Sequence, residues 1–305
     1  MRGKKRILVS VVGPTAVGKT RFAIELARHF NTEIISADSR QFYREMEIGT
    51  AKPDAEELAA ALHHFIDSHS IEDYYSAGMF EREAVALLDS LFESHEVVIA
   101  VGGSGLFFKA LWEGFDDMPD VSDEIRDELK STLKSEGIVN LLNELKERDP
   151  AYFEQVDHKN YQRVLRALEV IRSSGKTYSE HRKGHQTASR NFENIKVGLN
   201  QERAMLFDRI NRRMDIMIEN GLLKEAKSLM KYREHSALKT VGYTEIFSYL
   251  DGEYDWEEAV RLLKRNSRRY AKRQITWFKK DEEVKWYEPN QLEEVIRLIE
   301  NQLNT

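Results

Sequence analysis

The 305-residue sequence predicts an α/β protein, with a P-loop parallel-sheet core carrying helices on both faces and an all-helical insertion domain. Three observations carry this. Short apolar, β-branched runs such as Ile7-Leu8-Val9-Ser10-Val11-Val12 and Val97-Val98-Ile99-Ala100-Val101 have the character of strands buried on both faces. The first runs straight into Gly13-Pro14-Thr15-Ala16-Val17-Gly18-Lys19-Thr20, a G-x-x-x-x-G-K-T phosphate loop that opens a helix. A turn-rich acidic stretch from Trp112 to Val121 then separates the strand-containing part from a block with only helical periodicity.

Taken in order, the helix after the loop covers Arg21 to Phe30. A second strand, Thr32 to Ser36, delivers Ala37-Asp38-Ser39-Arg40-Gln41 into a loop. In parallel sheets, ligands sit beyond the carboxyl ends of the strands, which puts Asp38 on the same side as the phosphate loop. Gly49-Thr50-Ala51-Lys52-Pro53 is a turn-rich connection and His63 to Asp67 a short strand. Ser76 to Phe92 is a crossover helix with Phe80, Ala84, Leu87, Leu88 and Leu91 at helical spacing. The Val97 strand ends in Gly102-Gly103-Ser104-Gly105, where many nucleotide hydrolases place a metal-holding Asp. Its absence makes ATP hydrolysis a weaker candidate, and glycines there are expected to let a ligand approach the backbone.

The helical block has three main segments. Ser122 is the expected cap of a helix with Asp123 and Glu124 in its first turn and Ile125, Leu129 and Leu133 inward, ended by Gly137. Leu141, Leu142 and Leu145 mark a second that stops near Asp149-Pro150. Tyr161 to Arg172 forms a third, closed at Gly175, with Val164, Leu165, Leu168 and Ile171 on its apolar face. Gln162, Arg163 and Arg166 make a charged stripe of the kind that is most often merely solvated. These features place the insertion at residues 115–188, inside a core made of 1–114 and 189–305.

The core resumes with a strand at Ile195 to Leu199 and an amphipathic helix at Glu202 to Asn220, with Leu206, Ile210, Met214 and Met217 inward and Gly221 as its stop. Arg209 and Arg213 are one turn apart, a spacing that can clamp a diphosphate through forked hydrogen bonds; surface ion pairs are the plainer reading. Lys239 to Tyr243 is a loop entering a helix, and a last long helix covers Trp256 to Lys279. Between Arg261 and Lys285 there are ten Lys or Arg against three acidic residues, interleaved with Tyr270, Trp277 and Phe278. That mixture suits nucleic acid, with phosphates drawn by the cations and bases stacked on rings. It equally suits a helix with core aromatics and solvated cations.

Composition narrows the classes. With 41% hydrophobic and 32% charged residues the chain is an ordinary globular one, and no apolar run approaches a membrane span. A cytoplasmic address is expected. The absence of cysteine removes disulfides, thiolate metal sites and thiol catalysis. A net charge of −6 argues against indiscriminate nucleic-acid binding over the whole surface. The phosphate loop offers inward N–H groups, a point charge on Lys19 and a Thr20 hydroxyl for Mg²⁺. On these residues alone a small-molecule or nucleotide kinase and an RNA-binding nucleotide switch both remain open.

The series GPTAVGKT, ISADSRQFY, IGTAKP, VGGSGLFFKAL, HKNYQRVLRALEVIRSSGK, FDRINRRMD, KTVGYTE and AKRQITWF, in that order along nearly the whole chain, resembles the tRNA dimethylallyltransferase (tRNA isopentenyltransferase) family. Ser104 stands where that family usually has Thr, Tyr161 where it often has Pro, and Met79 where it often has Asp. The resemblance implies transfer of a dimethylallyl group from dimethylallyl diphosphate to N6 of the adenosine 3′-adjacent to the anticodon. It implies Gly13 to Thr20 (Gly13, Pro14, Thr15, Ala16, Val17, Gly18, Lys19, Thr20) as the diphosphate seat, with Mg²⁺ on Thr20 and Arg213 assisting the leaving group. Asp38 is the implied general base. Implied tRNA contacts are Asp38, Ser39, Arg40, Gln41, Ser104, Arg126, Gln162, Arg163, Val164, Leu165, Arg166, Lys239, Thr240, Val241, Gly242, Tyr243, Thr244, Lys272 and Arg273. With the tRNA anticodon stem-loop as partner, the RNA reading of the basic helix is preferred. A monomer is expected.

Overall fold

Ile7–Val12 (β1) is buried along its whole length because it runs through the middle of a sheet whose two faces are both covered. In the computed structural model, which describes residues 5–182 and 189–305, five further strands join it: Ile34–Ser36 (β2), His63–His64 (β3), Val97–Gly102 (β4), Glu193–Leu199 (β5) and Lys285–Tyr287 (β6). The order is β3-β2-β4-β1-β5-β6 and every pairing is parallel. Ile7 is in register with Val97 on one side and Glu193 on the other. Because the strands run one way, the loops after β1, β2 and β4 emerge at one edge. The phosphate loop, Asp38 and the glycine run therefore share that edge.

The helix Lys19–Phe30 lays Phe22, Ala23, Leu26 and Ala27 against the sheet. Leu206 and Ile210 of the helix Arg203–Glu219 join the same core, as do Val295, Ile296 and Ile299 of the helix Leu292–Asn304. The helix Trp256–Phe278 buries Ala259, Leu263, Ser267, Ala271, Gln274 and Phe278, a stripe at intervals of three and four residues. Among the described residues no helix is long and apolar enough to cross a membrane.

Several elements differ from the sequence expectation. The strand expected at His63 to Asp67 is only two residues long, since Phe65 and Asp67 take positive φ and leave the sheet. Gly105–Glu113 is helical, with Phe107, Phe108, Ala110, Leu111 and Trp112 buried together, a pattern too uniformly apolar to show a period. β6 and the helix Leu292–Asn304 extend the core past the basic helix. The expectation that the glycines after β4 make room for a ligand is corrected for two of them. A Cβ on Gly103 would lie 2.1 Å from the Gln274 amide, and one on Gly105 would lie 2.1 Å from the Trp277 ring. Their missing side chains admit the helix Trp256–Phe278.

Residue contacts divide the chain into two compact units, Met1–Glu113 with Ser189–Thr305, and Gly114–Ala188. The second unit has a core of its own, built from Leu129, Leu141, Leu145, Val164, Leu168 and Ile171 of the helices Asp123–Glu136, Ile138–Arg148 and Tyr161–Ser174. Ser122 occupies the N-cap position of the first helix without making a side-chain cap bond, whereas Asn160 caps the third by accepting from the Arg163 N–H. Arg172 ties the three together, donating to both Glu144 oxygens at 2.9 and 2.6 Å and to Glu128 at 2.9 Å. The buried Asp149 carboxylate accepts from the Tyr152 N–H at 3.0 Å and from the N–H and O–H of Ser179, both at 2.8 Å.

Leu168 is fully buried in this small core. Leu168→Ala should cost about 2–5 kcal/mol, the usual range for deleting a buried leucine side chain, measured as a lower urea midpoint; a change under about 0.5 kcal/mol would mean the unit is not packed around this residue.

Candidate active site

The phosphate loop turns from β1 into the helix Lys19–Phe30 through Gly18, whose φ of 108° is a conformation that favours glycine. The helix N-terminus and the Lys19 ammonium thereby reach a cavity of about 670 Å³ at the carboxyl edge of the sheet. Thr15, Ala16, Gly18, Lys19 and Thr20 line it. Gly13, Pro14 and Val17 are buried beneath. Lys19 donates to the Pro14 carbonyl at 2.8 Å. The Thr15 N–H is already committed, donating at 2.8 Å to Oε1 of Gln274, so that amide is not part of an inward-facing cradle.

The same cavity collects further cations. Arg209, Arg212 and Arg213 of the helix Arg203–Glu219 line it. Arg213 donates to the Thr15 hydroxyl at 3.2 Å and to the Ala51 carbonyl at 3.4 Å. Arg212 pairs with Asp208. Among the described residues Lys19, Arg209 and Arg213 make no ion pair. Burial, reinforced by the Arg213 charge and opposed by Asp38, lowers the Lys19 pKa to about 8. Burial likewise holds the Arg213 guanidinium below its ordinary value, with Asp38 and Glu57 opposing and Arg209 adding to the effect. Cations gathered without an ion-pair partner give this part of the lining a positive potential that suits an anion.

Asp38 follows β2 and lines the cavity with Arg40 and Gln41. Its Oδ1 accepts the Arg40 N–H at 3.0 Å, an Asx turn that fixes the carboxylate. Ser104, buried, accepts the Ser39 N–H at 2.8 Å and donates to the Ser39 hydroxyl at 3.0 Å. It thus braces the Asp38 loop. Gln41 donates from Nε2 to the Thr50 and Ala51 carbonyls at 3.3 and 3.1 Å. The lining also includes the apolar side chains Met214, Met217, Leu222, Ile216 and Val241, three of them on the same helix as the arginines.

Of the remaining residues picked out from sequence, Thr240, Val241 and Gly242 line the cavity, while Lys239 and Thr244 are exposed beside it in sequence. Tyr243 is fully buried and gives its hydroxyl to Glu225 at 2.5 Å, so its side chain supports the fold and offers RNA no surface. Lys272 and Arg273 are exposed, over the rings of Phe207 and Tyr270. Phe278 is core and Trp277 is 43% exposed, so the two readings of the basic helix each hold for part of it. In the helical unit Gln162 and Arg163 are exposed, Arg166 pairs with Glu169 at 3.1 Å and Arg126 with Asp123 at 2.7 Å. Val164 and Leu165 belong to that unit's core, so their side chains are turned away from solvent.

Gln274 is not among the sequence candidates, and Tyr270 enters there only as one of the rings interleaved with the basic run. Gln274 joins the Thr15 N–H to the Gly103 carbonyl, the latter at 3.0 Å, and so ties two loops of the sheet edge to one helix. Tyr270 lines the cavity one turn away, its phenol pushed up to about 12, chiefly by burial and then by Asp38. The available signal was a polar pair, Ser267 and Gln274, recurring in the buried register of an amphipathic helix. For a metal, the cavity offers hard oxygens, the Thr20 hydroxyl and Asp38, and among the described residues no group of three His, Cys, Asp or Glu could hold one. That donor set fits Mg²⁺, which is usually carried on one or two protein oxygens together with phosphate oxygens.

A family model described as IPP transferase matches residues 41–281. A protein of Cytophaga hutchinsonii named tRNA dimethylallyltransferase is 51% identical, the alignment covering 98% of each chain. A solved tRNA isopentenylpyrophosphate transferase of Bacillus halodurans superposes with a TM-score of 0.72 at 38% identity, over 98% of this chain and 97% of that one. A eukaryotic dimethylallyltransferase solved acting on tRNA gives a TM-score of 0.75 at 26% identity, over 90% of this chain and 70% of that one.

The Lys19 environment sets a pH dependence. Free Lys19 loses its proton near pH 8, while a bound anion favours the charged form, so anion binding above that pH takes up a proton and weakens as pH rises. Calorimetry with inorganic pyrophosphate should show affinity falling above about pH 8, by at most about tenfold per unit, and Lys19→Met should abolish the slope. A flat profile in the native protein would mean that Lys19 does not meet the anion.

Proposed function

The chain belongs to the IPP transferase family, enzymes of prenyl transfer to tRNA, and on that premise we propose that it moves a dimethylallyl group from dimethylallyl diphosphate to N6 of the adenosine 3′-adjacent to the anticodon. The observation that carries this is one cavity whose lining joins the cations Lys19, Arg209 and Arg213, the Asp38 carboxylate and the apolar Met214, Met217 and Leu222. A diphosphate matches the first and a branched five-carbon chain the last. Phosphate loops also serve kinases, but the β4 end presents glycines and Ser104 where a hydrolase would hold its metal.

In the reaction the allylic C–O bond breaks and its electron pair leaves with the diphosphate, as N6 bonds to the allylic carbon. Lys19, Arg213 and the helix N-terminus at Lys19–Thr20 stabilise the charge that grows on the leaving oxygen. The Thr20 hydroxyl would hold Mg²⁺, which supplies further neutralisation of the diphosphate. An adenine amino group is a weak nucleophile because its lone pair is delocalised into the ring. Asp38 accepts the N6 proton as the new bond forms, its carboxylate held by the Arg40 N–H. To reach the cavity the adenosine leaves its stack, and exposed Lys272 and Arg273 attract the anticodon stem.

Incubation with Mg²⁺, an anticodon stem-loop RNA and either labelled dimethylallyl diphosphate or labelled ATP separates this from a kinase. Label should enter RNA from the prenyl donor alone; incorporation only from ATP, or none, would overturn the reading. Asp38→Ala should slow single turnover at least ~100-fold, the usual worth of a general base, while leaving donor affinity within about threefold; an unchanged rate would remove Asp38 from the chemistry.

A further inference from the structure

The cavity lining includes a strap, Gly49 to Lys52, that is held in a costly conformation. Ala51 has φ 49° and ψ 53°, left-handed geometry that a residue with a Cβ rarely adopts. Such strain persists only where the surroundings over-determine it. The determinant on one side is Glu225, on the helix Leu222–Ser228 and absent from the cavity lining. Its carboxylate accepts three successive backbone N–H groups, those of Glu47 at 3.2 Å, Ile48 at 2.7 Å and Gly49 at 2.9 Å, together with the Tyr243 hydroxyl at 2.5 Å. Gly49 completes the fit, because a Cβ there would lie 2.4 Å from the Tyr243 ring. The strap then presents the Ala51 carbonyl, which accepts from Arg213 at 3.4 Å.

We infer that Glu225 is a positioning residue for the transfer reaction: by fixing the amides of residues 47–49 it sets the Ala51 carbonyl that aims the Arg213 guanidinium at the donor diphosphate. A carboxylate suits the role because it is an acceptor only, with two oxygens for four donors. A glutamine of the same shape would turn an NH₂ toward backbone N–H groups and release part of the strap. The inference rests on the assignment of the diphosphate to the cavity described above.

Steady-state kinetics of Glu225→Gln, Arg213→Ala and the double variant test it. Glu225→Gln should lower the donor kcat/KM about tenfold, kcat falling with it because Arg213 acts on charge that grows in the transition state, with the RNA KM changed less than threefold and the thermal midpoint within about 3 °C of the native enzyme. If Glu225 works through Arg213, the double variant should be no more than twofold worse than Arg213→Ala. An unchanged donor kcat/KM in Glu225→Gln, or losses that multiply in the double variant, would overturn the proposal. An unchanged donor kcat/KM in Arg213→Ala would instead overturn the diphosphate assignment, and the action of Glu225 through Arg213 with it. Should Glu225→Gln not fold, Tyr243→Phe, which removes one partner of the carboxylate, carries the same cycle with an expected fall in donor kcat/KM of about threefold; no fall would be equally decisive against it.

Discussion

The gathering of Lys19, Arg209 and Arg213 at one cavity is the constraint on which the site depends. They share its lining with Asp38 and Glu57 but form an ion pair with neither among the described residues, and the cost of keeping an ammonium there shows in the Lys19 pKa, lowered by burial first and then by the Arg213 charge. A flexible chain would relieve that cost by letting the side chains swing into water. Here neutral groups hold the two that are least exposed: the Pro14 carbonyl takes Lys19, and the Thr15 hydroxyl and Ala51 carbonyl take Arg213. Carbonyl and hydroxyl dipoles satisfy hydrogen bonds without cancelling charge. The potential therefore stays available to a ligand that brings its own negative charge.

The helix Trp256–Phe278 serves this arrangement from below. Its buried stripe reaches both the phosphate loop and the β4 loop through one side chain, Gln274, and its exposed side carries Lys272 and Arg273. Gly103 and Gly105 allow it to approach so closely, since any side chain at either position would overlap Gln274 or Trp277. One element thus braces the anion site and presents cations to solvent. The two roles need no shared residue because a helix turns about 100° per position.

The helical unit Gly114–Ala188 follows a different logic. Its core is small and wholly aliphatic apart from Tyr152, and polar groups do the tying at its margins: Arg172 across three helices, Asp149 beneath the turn at Ser179. Val164 and Leu165 lie within the HKNYQRVLRALEVIRSSGK motif yet face inward. A motif read as a string mixes residues that touch a partner with residues that keep the presenting helix in place, and only the helical period separates them.

The sequence by itself determined the features that depend on neighbouring residues. The strand, glycine turn and helix at Ile7 to Phe30 were legible because each is a local backbone preference, and the carboxyl ends of parallel strands put Asp38 beside the phosphate loop. Arg209 and Arg213 followed from one turn of helix. The tertiary structure alone decided what depends on distant segments meeting: Gln274 against Thr15, Glu225 under the 47–49 amides, Tyr243 in the space left by Gly49, and β6 on the far edge of the sheet. Nothing in the short run around Glu225 marks it, because a hydrogen bond between residues 177 positions apart has no period. Its geometry exists only once the sheet has brought its loops to a common edge.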